Sequence, residues 1–538
     1  MPLHSVFQAA ALILAGLAHA ASIAAPWSGE PVWWMQLLAM AALVWLIQTT
    51  DSPRQAAWRG WLFTTAWLCG TFWWLFISMH TYGGLNAALA VLAIFGLAAV
   101  LALYYAAACY VFRALGIENS AWAATVFAAL WVMAEMARGT WFTGFGWGAA
   151  GYAHLNSLAV FAKYVGAYGM AGLAAFIACS LTMWLIERRK NALGIVGLRA
   201  NTHSSLKALA PVALIAVLAV VGDRQFSAPA GTLDVALLQG NIAQSEKFEP
   251  STGIADALRW YGEQMRTSKA TLVVAPETAI PLLPQQLPEG YLSAMTAPFT
   301  QGGKTPGQAL LVGIPLGSYS AGYTNSVIGV KPGMAVGAPY TYSKHHLVPF
   351  GEFIPPLFKW FTQMMNIPLG DFNRGAVGQP SFEWQGQRLA PNICYEDLFG
   401  EELGARFIDP ATAPTIFVNF SNIGWFGNTL AIDQHRNISR MRALEFERPF
   451  IRATNTGDTV IINHKGEVTH ALPRHTRGVF TGSVEGRAGD ALTGDGITPF
   501  AYWVARDGLW PIWLISVAIV IIAAYACNSR LRGRSRLQ

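Results

Sequence analysis

Three short stretches of this chain carry side chains that together suit nucleophilic chemistry: Cys394 in NICYEDLFG, Glu277 in APETAIP and Lys344 in KHHLVPFGE. A thiol attacking a carbonyl needs a base for its proton, a donor for the oxyanion and a proton for the leaving group. Glu277 can supply the first and third of these, and Lys344 the second. Tyr395, Glu396 and Asp397 follow the cysteine, and acids alone would raise a thiol's pKa, so a working thiolate needs a base or cation close by. Blander fates are open to each residue. A free cysteine is commonly a buried small hydrophobe; a glutamate after a strand is often solvated, and a lysine beside two histidines usually lies on the surface. Cys69, Cys109, Cys179 and Cys527, the other four cysteines, all sit in apolar runs, which excludes a disulfide within the polar part of the chain by count. There is no HExxH, and His345 and His346 are adjacent rather than spaced as metal ligands usually are. Neither a metal nor a cofactor is expected.

The elements that must position these residues are of two kinds. Of 538 residues 53% are hydrophobic and only 12% charged, about half the charged fraction of a soluble domain, and the mean hydropathy is +0.36. The excess is uneven. Residues 1–222 form one apolar run after another, 223–507 read as a soluble domain, and 508–538 hold a last apolar run and a basic tail, RLRGRSRLQ. The net charge of +6 does not indicate nucleic acid, because the basic residues cluster in short loops and in the tail, where they serve topology.

A membrane helix needs about 20 apolar residues. Eight runs qualify as spans, at roughly 6–25, 32–47, 60–78, 87–110, 121–136, 158–185, 209–221 and 509–527, the second, fifth and seventh being short. The first lacks Lys and Arg ahead of it and is followed by further spans, so it reads as an uncleaved span rather than a leader. Arg54, Arg59, Arg113, Arg188, Arg189, Lys190 and the tail arginines fall on one side if the N-terminus is cytoplasmic, whereas the loop HTYGGLN carries no Lys or Arg. The soluble domain then lies on the opposite face, which in a bacterium is the periplasm, an oxidising compartment.

Within that domain LDVALLQGN, ATLVVAPETAI, ALLVGIP, RLAPNICYED, TIFVNFSN, FIRATNTGDTVII and GVFTGSV read as strands. IADALRWYGEQMRTS and AIDQHRNISRMRALEFERP read as helices between strands. This alternation predicts layered α/β with antiparallel parts near its C-terminal end. Glu277, Cys394 and Asn419–Ser421 then stand just past strand ends, where such folds gather catalytic groups.

The motifs APETAIP, KHHLVPFGE and NICYED, in that order, resemble the Glu–Lys–Cys triad of the nitrilase superfamily. Seven spans before such a domain and one after resemble its membrane-embedded branch, the apolipoprotein N-acyltransferase family. WVMAEMARGTWFTGFGWGAAGY, LQGNIAQSEKF and RATNTG also resemble segments of that family. The resemblance implies an αββα sandwich beside a helical transmembrane bundle of about eight spans. It implies Glu277 as general base, Lys344 as oxyanion stabiliser and Cys394 as nucleophile, with Glu352, Tyr395 and Glu396 in support. The acyl donor would be a phospholipid, commonly phosphatidylethanolamine. The acceptor would be the free amine of a diacylglyceryl-cysteine apolipoprotein, and the enzyme a monomer in the bacterial inner membrane. Two departures bear on substrate positioning: Phe248 stands where the family typically has Trp, and Gly146 where it has Pro. Trp425 and Phe426 in SNIGWFGN, and the aromatic stretch PPLFKWFTQMMNIPLG, are candidate membrane-dipping lids.

Two other readings stand beside this one. A membrane-tethered nitrilase-type amidase would pass the acyl group to water. An inactive scaffold or transporter would line its spans with charge, for which Glu135 and Lys163 are the few candidates.

Overall fold

The structure is a computed structural model that describes residues 3–117, 120–192, 202–300, 307–318, 320–335, 337–355 and 371–535. The stretch Pro355–Gly370, one of the two expected aromatic lids, falls almost wholly outside the described residues. The chain divides into two compact units. One comprises residues 1–73, 91–224 and 509–538; the other comprises 74–90 and 225–508.

The first unit is helical. Five helices are long and apolar enough to cross a membrane, by length and composition: Ser5–Ile23, Ala87–Ala114, Ser120–Thr143, Ala159–Lys190 and Trp510–Ser529. This is the helical, multi-span architecture expected, with a smaller count of full-length spans. Trp33–Gln48 and Leu209–Val221 are apolar helices too short for that standard. The run expected at 60–78 forms a helix at Pro53–Phe72 that carries Arg54 and Arg59, and the chain leaves it before the apolar run ends. A buried polar cluster braces the turn after Ser120–Thr140: Arg138 donates to the carbonyls of Phe145 (2.7 Å) and Trp147 (2.9 Å), and the Glu135 carboxylate accepts from the Ala150 N–H (3.0 Å). Glu135 and Arg138 thus satisfy loop backbone, which removes Glu135 as a mark of a transport path. Lys163 pairs with Asp223 at 2.8 Å.

The second unit is a four-layer sandwich. Its strands are β1 (Ala228–Gln239), β2 (Leu272–Ala275), β3 (Ala309–Ser318), β4 (Gly322–Val330), β5 (Tyr340–Ser343), β6 (Phe382–Trp384), β7 (Gln387–Ile393), β8 (Ile416–Ser421), β9 (Phe450–Thr454), β10 (Val460–Ile462), β11 (Val468–Ala471) and β12 (Gly478–Ala488). They form two six-stranded sheets, ordered β12-β1-β2-β3-β4-β5 and β11-β10-β9-β8-β7-β6. In each sheet two parallel pairings are flanked by antiparallel ones: β1-β2 and β2-β3 in the first, β7-β8 and β8-β9 in the second.

Side chains alternate faces along a strand, and the sequence uses both. Leu233, Val235, Leu237, Leu272 and Val274 meet Leu389, Ile393, Ile416, Val418 and Ile451 between the sheets. The intervening Val273 and Ala275 turn outward onto the helices Ala255–Thr267 and Tyr291–Thr300. Ala390, Phe417 and Phe450 do the same for the second sheet, against Leu430–Phe446 and Pro499–Asp507. Because both faces of the central strands are buried, those strands read as unbroken apolar runs. The result is layered α/β, as the strand pattern implies, in the αββα order that the resemblance implies.

Candidate active site

Three strand ends deliver the expected side chains to one place. Glu277 lies two residues past β2, Lys344 immediately past β5 and Cys394 immediately past β7. Lys344 Nζ stands 3.8 Å from Glu277 Oε1 and 2.8 Å from Glu352 Oε2. Glu352 Oε1 takes a further bond from the same ammonium at 2.9 Å, and Val348 N–H holds Oε2 at 2.8 Å. Asn325, on β4, donates its amide to both carboxylates: 2.6 Å to Glu277 and 2.8 Å to Glu352. The other Glu277 oxygen accepts the Asn422 N–H at 2.9 Å. Glu277 is therefore aimed by one donor from each sheet, and Lys344 is clamped by Glu352 with room for one further acceptor.

Cys394 has a positive φ of 51°, a conformation that costs a non-glycine residue about 1–3 kcal/mol. Two donors hold its carbonyl there: Asn419 Nδ2 at 3.2 Å and His435 Nε2 at 3.1 Å. His435 is itself fixed. Arg452 Nη2 can only donate, so His435 Nδ1 at 2.9 Å must accept and Nε2 must carry the proton. Nε2 also lies 3.0 Å from Asp397 Oδ1, and Arg452 Nη1 bonds Asp397 Oδ2 at 3.0 Å. Burial, with Arg452 beside it, lowers the His435 pKa and keeps the ring neutral. Although burial works against it, His435 and Arg452 hold the Asp397 carboxyl below its usual value.

Burial pushes the Cys394 thiol up to about 12, and Glu277 adds to this; Lys344 and the Ser421 hydroxyl oppose it. The resting group is a thiol, with the Glu277 carboxylate close enough to act on it electrostatically. Burial would lower Lys344, but Glu352 and Glu277 outweigh it and keep the ammonium charged.

Glu396 does not face this cluster as a reactant. It is 3% exposed and accepts four bonds, from Ile393 N–H (2.7 Å), Tyr342 O–H (2.7 Å), His345 N–H (2.6 Å) and His346 N–H (3.2 Å). One carboxylate thus ties the end of β5, which bears Lys344, to the end of β7, which bears Cys394. Burial raises its pKa while these donors pull it back. Tyr395 is buried against Phe399, ring centroids 5.2 Å apart. Among the described residues no group of three or more His, Cys, Asp or Glu is arranged to hold a metal.

Residues 15–180 match the model of the apolipoprotein N-acyltransferase N-terminal domain, and residues 234–491 match the carbon-nitrogen hydrolase model. The chain is 58% identical over 504 residues to an apolipoprotein N-acyltransferase of Verminephrobacter eiseniae, covering 92% of each chain. It is 41% identical to one of Ralstonia nicotianae, over 93% of this chain and 90% of that one, and 36% identical to one of Neisseria meningitidis serogroup A, over 93% and 94%. The chain belongs to the apolipoprotein N-acyltransferase family.

For this member of the family, the remaining expected residues are placed as follows. Trp425 and Phe426 form the turn after β8 and pack on the segment 74–90: Trp425 meets Tyr82 at 5.9 Å and Phe426 meets Trp74 at 4.3 Å, ring to ring. Trp74 Nε1 also donates to Gln434 at 3.0 Å. The Trp425–Phe426 turn is thus seated on protein, and it reaches the site through Asn422. Phe248 is half-buried in the turn after β1, next to Lys247. Sequence reasoning missed Lys247, which is 2% exposed and donates to the Glu277 backbone carbonyl at 3.2 Å. It also missed Asn325, Asn422 and His435. Lys247 lies in LQGNIAQSEKF, and a basic residue next to Glu246 there gave no sign of burial.

Proposed function

We propose that this acyltransferase moves a fatty acyl chain from a phospholipid to the N-terminal amine of a diacylglyceryl-cysteine apolipoprotein, through a thioester on Cys394. What supports the reading most is the convergence of Glu277, Lys344 and Cys394 from three strand ends in a member of this family. Cys394 Sγ attacks the donor ester carbonyl while Glu277 takes the thiol proton. The carbonyl π pair moves to oxygen, where Lys344 balances it. The ester C–O bond then breaks, and protonated Glu277 returns the proton to the departing glycerol oxygen, giving lysophospholipid and the thioester. The acceptor amine attacks the thioester next, Glu277 takes its proton, and the C–S pair returns to Cys394 with that proton. An α-amine with a pKa of about 7.7–8.0 is substantially neutral near pH 7.5, so a carboxylate suffices as base.

In this reading residues 1–222 and 508–538 anchor a monomer in the inner membrane, with 223–507 on the periplasmic face and phosphatidylethanolamine as donor. Both substrates carry acyl chains whose membrane affinity is about 0.8 kcal/mol per CH₂, which explains why the catalytic domain is tethered among apolar helices. The test is intact mass analysis after incubation with acyl-labelled phosphatidylethanolamine and no amine. A hydroxylamine-labile acyl adduct is expected on the wild type and none on Cys394→Ala. An active preparation without that adduct would refute the mechanism.

A further inference from the structure

Lys344 has little charge to spare. Its ammonium is gripped by both oxygens of Glu352 at 2.8 and 2.9 Å, and Glu277 and Glu352 both push the thiol toward its protonated form. A second buried cation is bonded to the Glu277 backbone. Lys247 is 2% exposed, and the one bond its ammonium makes among the described residues is to the Glu277 backbone carbonyl, at 3.2 Å. Among the described residues no carboxylate pairs with it, yet it interacts electrostatically with the Glu277 carboxylate and the Cys394 thiol. Its turn is fixed to the site from the other side, where Gln244 accepts from Asn422 Nδ2 at 2.8 Å. An ammonium has three hydrogens, and among the described residues only one of them is committed, in a buried position whose charge is felt at Cys394.

We propose that Lys247 is a further catalytic residue, a second cation that donates to the oxyanion formed when Cys394 adds to the donor ester. This inference rests on the acyl-transfer reading above and adds a residue to it. When the Cys394 proton passes to Glu277, the sulfur pair forms the C–S bond and the carbonyl π pair moves to oxygen, one negative charge appears where Lys344 already serves Glu352. Lys247 supplies the positive charge that Glu352 takes from Lys344. The titratable groups that act on it are Glu277 and Cys394, and Glu277 also stands 3.8 Å from Lys344. Burial lowers its pKa to about 8, with Glu277 and Cys394 resisting. The working cation is therefore lost in mildly alkaline solution, well below the point at which Cys394 ionises.

The test follows the first half-reaction alone in the full-length enzyme, with acyl-labelled phosphatidylethanolamine and no amine, so that the acceptor's titration does not enter. Lys247→Met is expected to slow acyl-enzyme formation on the order of 10²-fold, as loss of an oxyanion donor does. Lys247→Arg is expected to retain most of the rate. The wild-type rate is expected to fall as pH rises through about 8, and this alkaline limb should vanish in Lys247→Arg, whose guanidinium stays charged. A purely structural lysine would not move that limb. Acylation by Lys247→Met at the wild-type rate overturns the proposal, as does an unchanged alkaline limb in Lys247→Arg; if the Met variant does not fold, the Arg profile decides. An adduct in Cys394→Ala would instead overturn the underlying thioester reading.

Discussion

Replacing His435 with alanine tests whether the strained backbone of Cys394 is held by its carbonyl anchors. The variant loses the 3.1 Å bond to the Cys394 carbonyl and the 3.0 Å bond to Asp397, and it leaves Arg452 Nη2 without the ring nitrogen it meets at 2.9 Å. Bonds to charged groups contribute about 1.5–3 kcal/mol each, and two of the three are of that kind, so the stability loss is about 3–6 kcal/mol. That is a large part of a stability of about 5–15 kcal/mol, yet it leaves the domain folded, with a Tm lower by roughly 10 °C. The rate follows from a different quantity. A positive φ at Cys394 costs about 1–3 kcal/mol, and with only the Asn419 bond of 3.2 Å left the backbone can relax away from it. At 1.36 kcal/mol per decade this lowers acyl-enzyme formation by about 5- to 200-fold. Asn419→Ala should act on the same carbonyl, so the double variant is expected to lose less than the product of the two effects. The assay is single-turnover acyl-enzyme formation beside a thermal melt. A folded His435→Ala enzyme that acylates at the wild-type rate would refute carbonyl anchoring as what positions the nucleophile.

Lys344→Met is expected to reduce acyl-enzyme formation by about 10²- to 10³-fold and also to destabilise the domain, since it strands the buried Glu352 carboxylate; the single-turnover rate and the melt measure the two effects separately. Glu396→Ala removes four bonds between the ends of β5 and β7 and should cost more in rate than Tyr342→Phe, which removes one; equal losses would show that Glu396 does not act as the tie. Stability should fall in acid: His435 is held below its ordinary value, so the unfolded chain binds a proton that the native ring refuses. Its contribution is complete above about pH 6.5 and is lost as pH falls toward the native value, whereas the depressed Asp397 matters only below about pH 4. Melts from pH 7.5 to 5 should show a decline that His435→Gln flattens.

Much of the site was legible because its residues sit in contiguous motifs at strand ends. APETAIP, KHHLVPFGE and NICYED each carry an apolar or aromatic approach and a polar turn, and the structure puts all three at neighbouring strand ends. The roles of Asn325, His435 and Lys247 could not be read the same way. Each is an ordinary polar residue in its own segment and gains meaning from partners 27 to 48 residues away. The α-helix in the run 60–78 ends at Phe72. Hydropathy registers that a segment avoids water, and it cannot tell burial in lipid from burial against protein. Trp74 is 1% exposed because Phe426 and Gln434 cover it.

The contacts of residues 74–90 bear on how this protein can be divided. Those residues are joined in the chain to the helices Pro53–Phe72 and Ala87–Ala114, yet they complete the unit that carries the thiol. A fragment of 225–508 expressed alone would present the faces of Trp425 and Phe426 bare, beside the turn that aims Asn422 at the Glu277 carboxylate. The catalytic domain is in this sense assembled from two separated coding stretches, and it is not a cassette that can be cut out at its linker or grafted onto another anchor. A soluble version for screening inhibitors would need residues 74–86 restored, as a fused strap or an added peptide, before its thiol could be expected to react as it does in the whole enzyme.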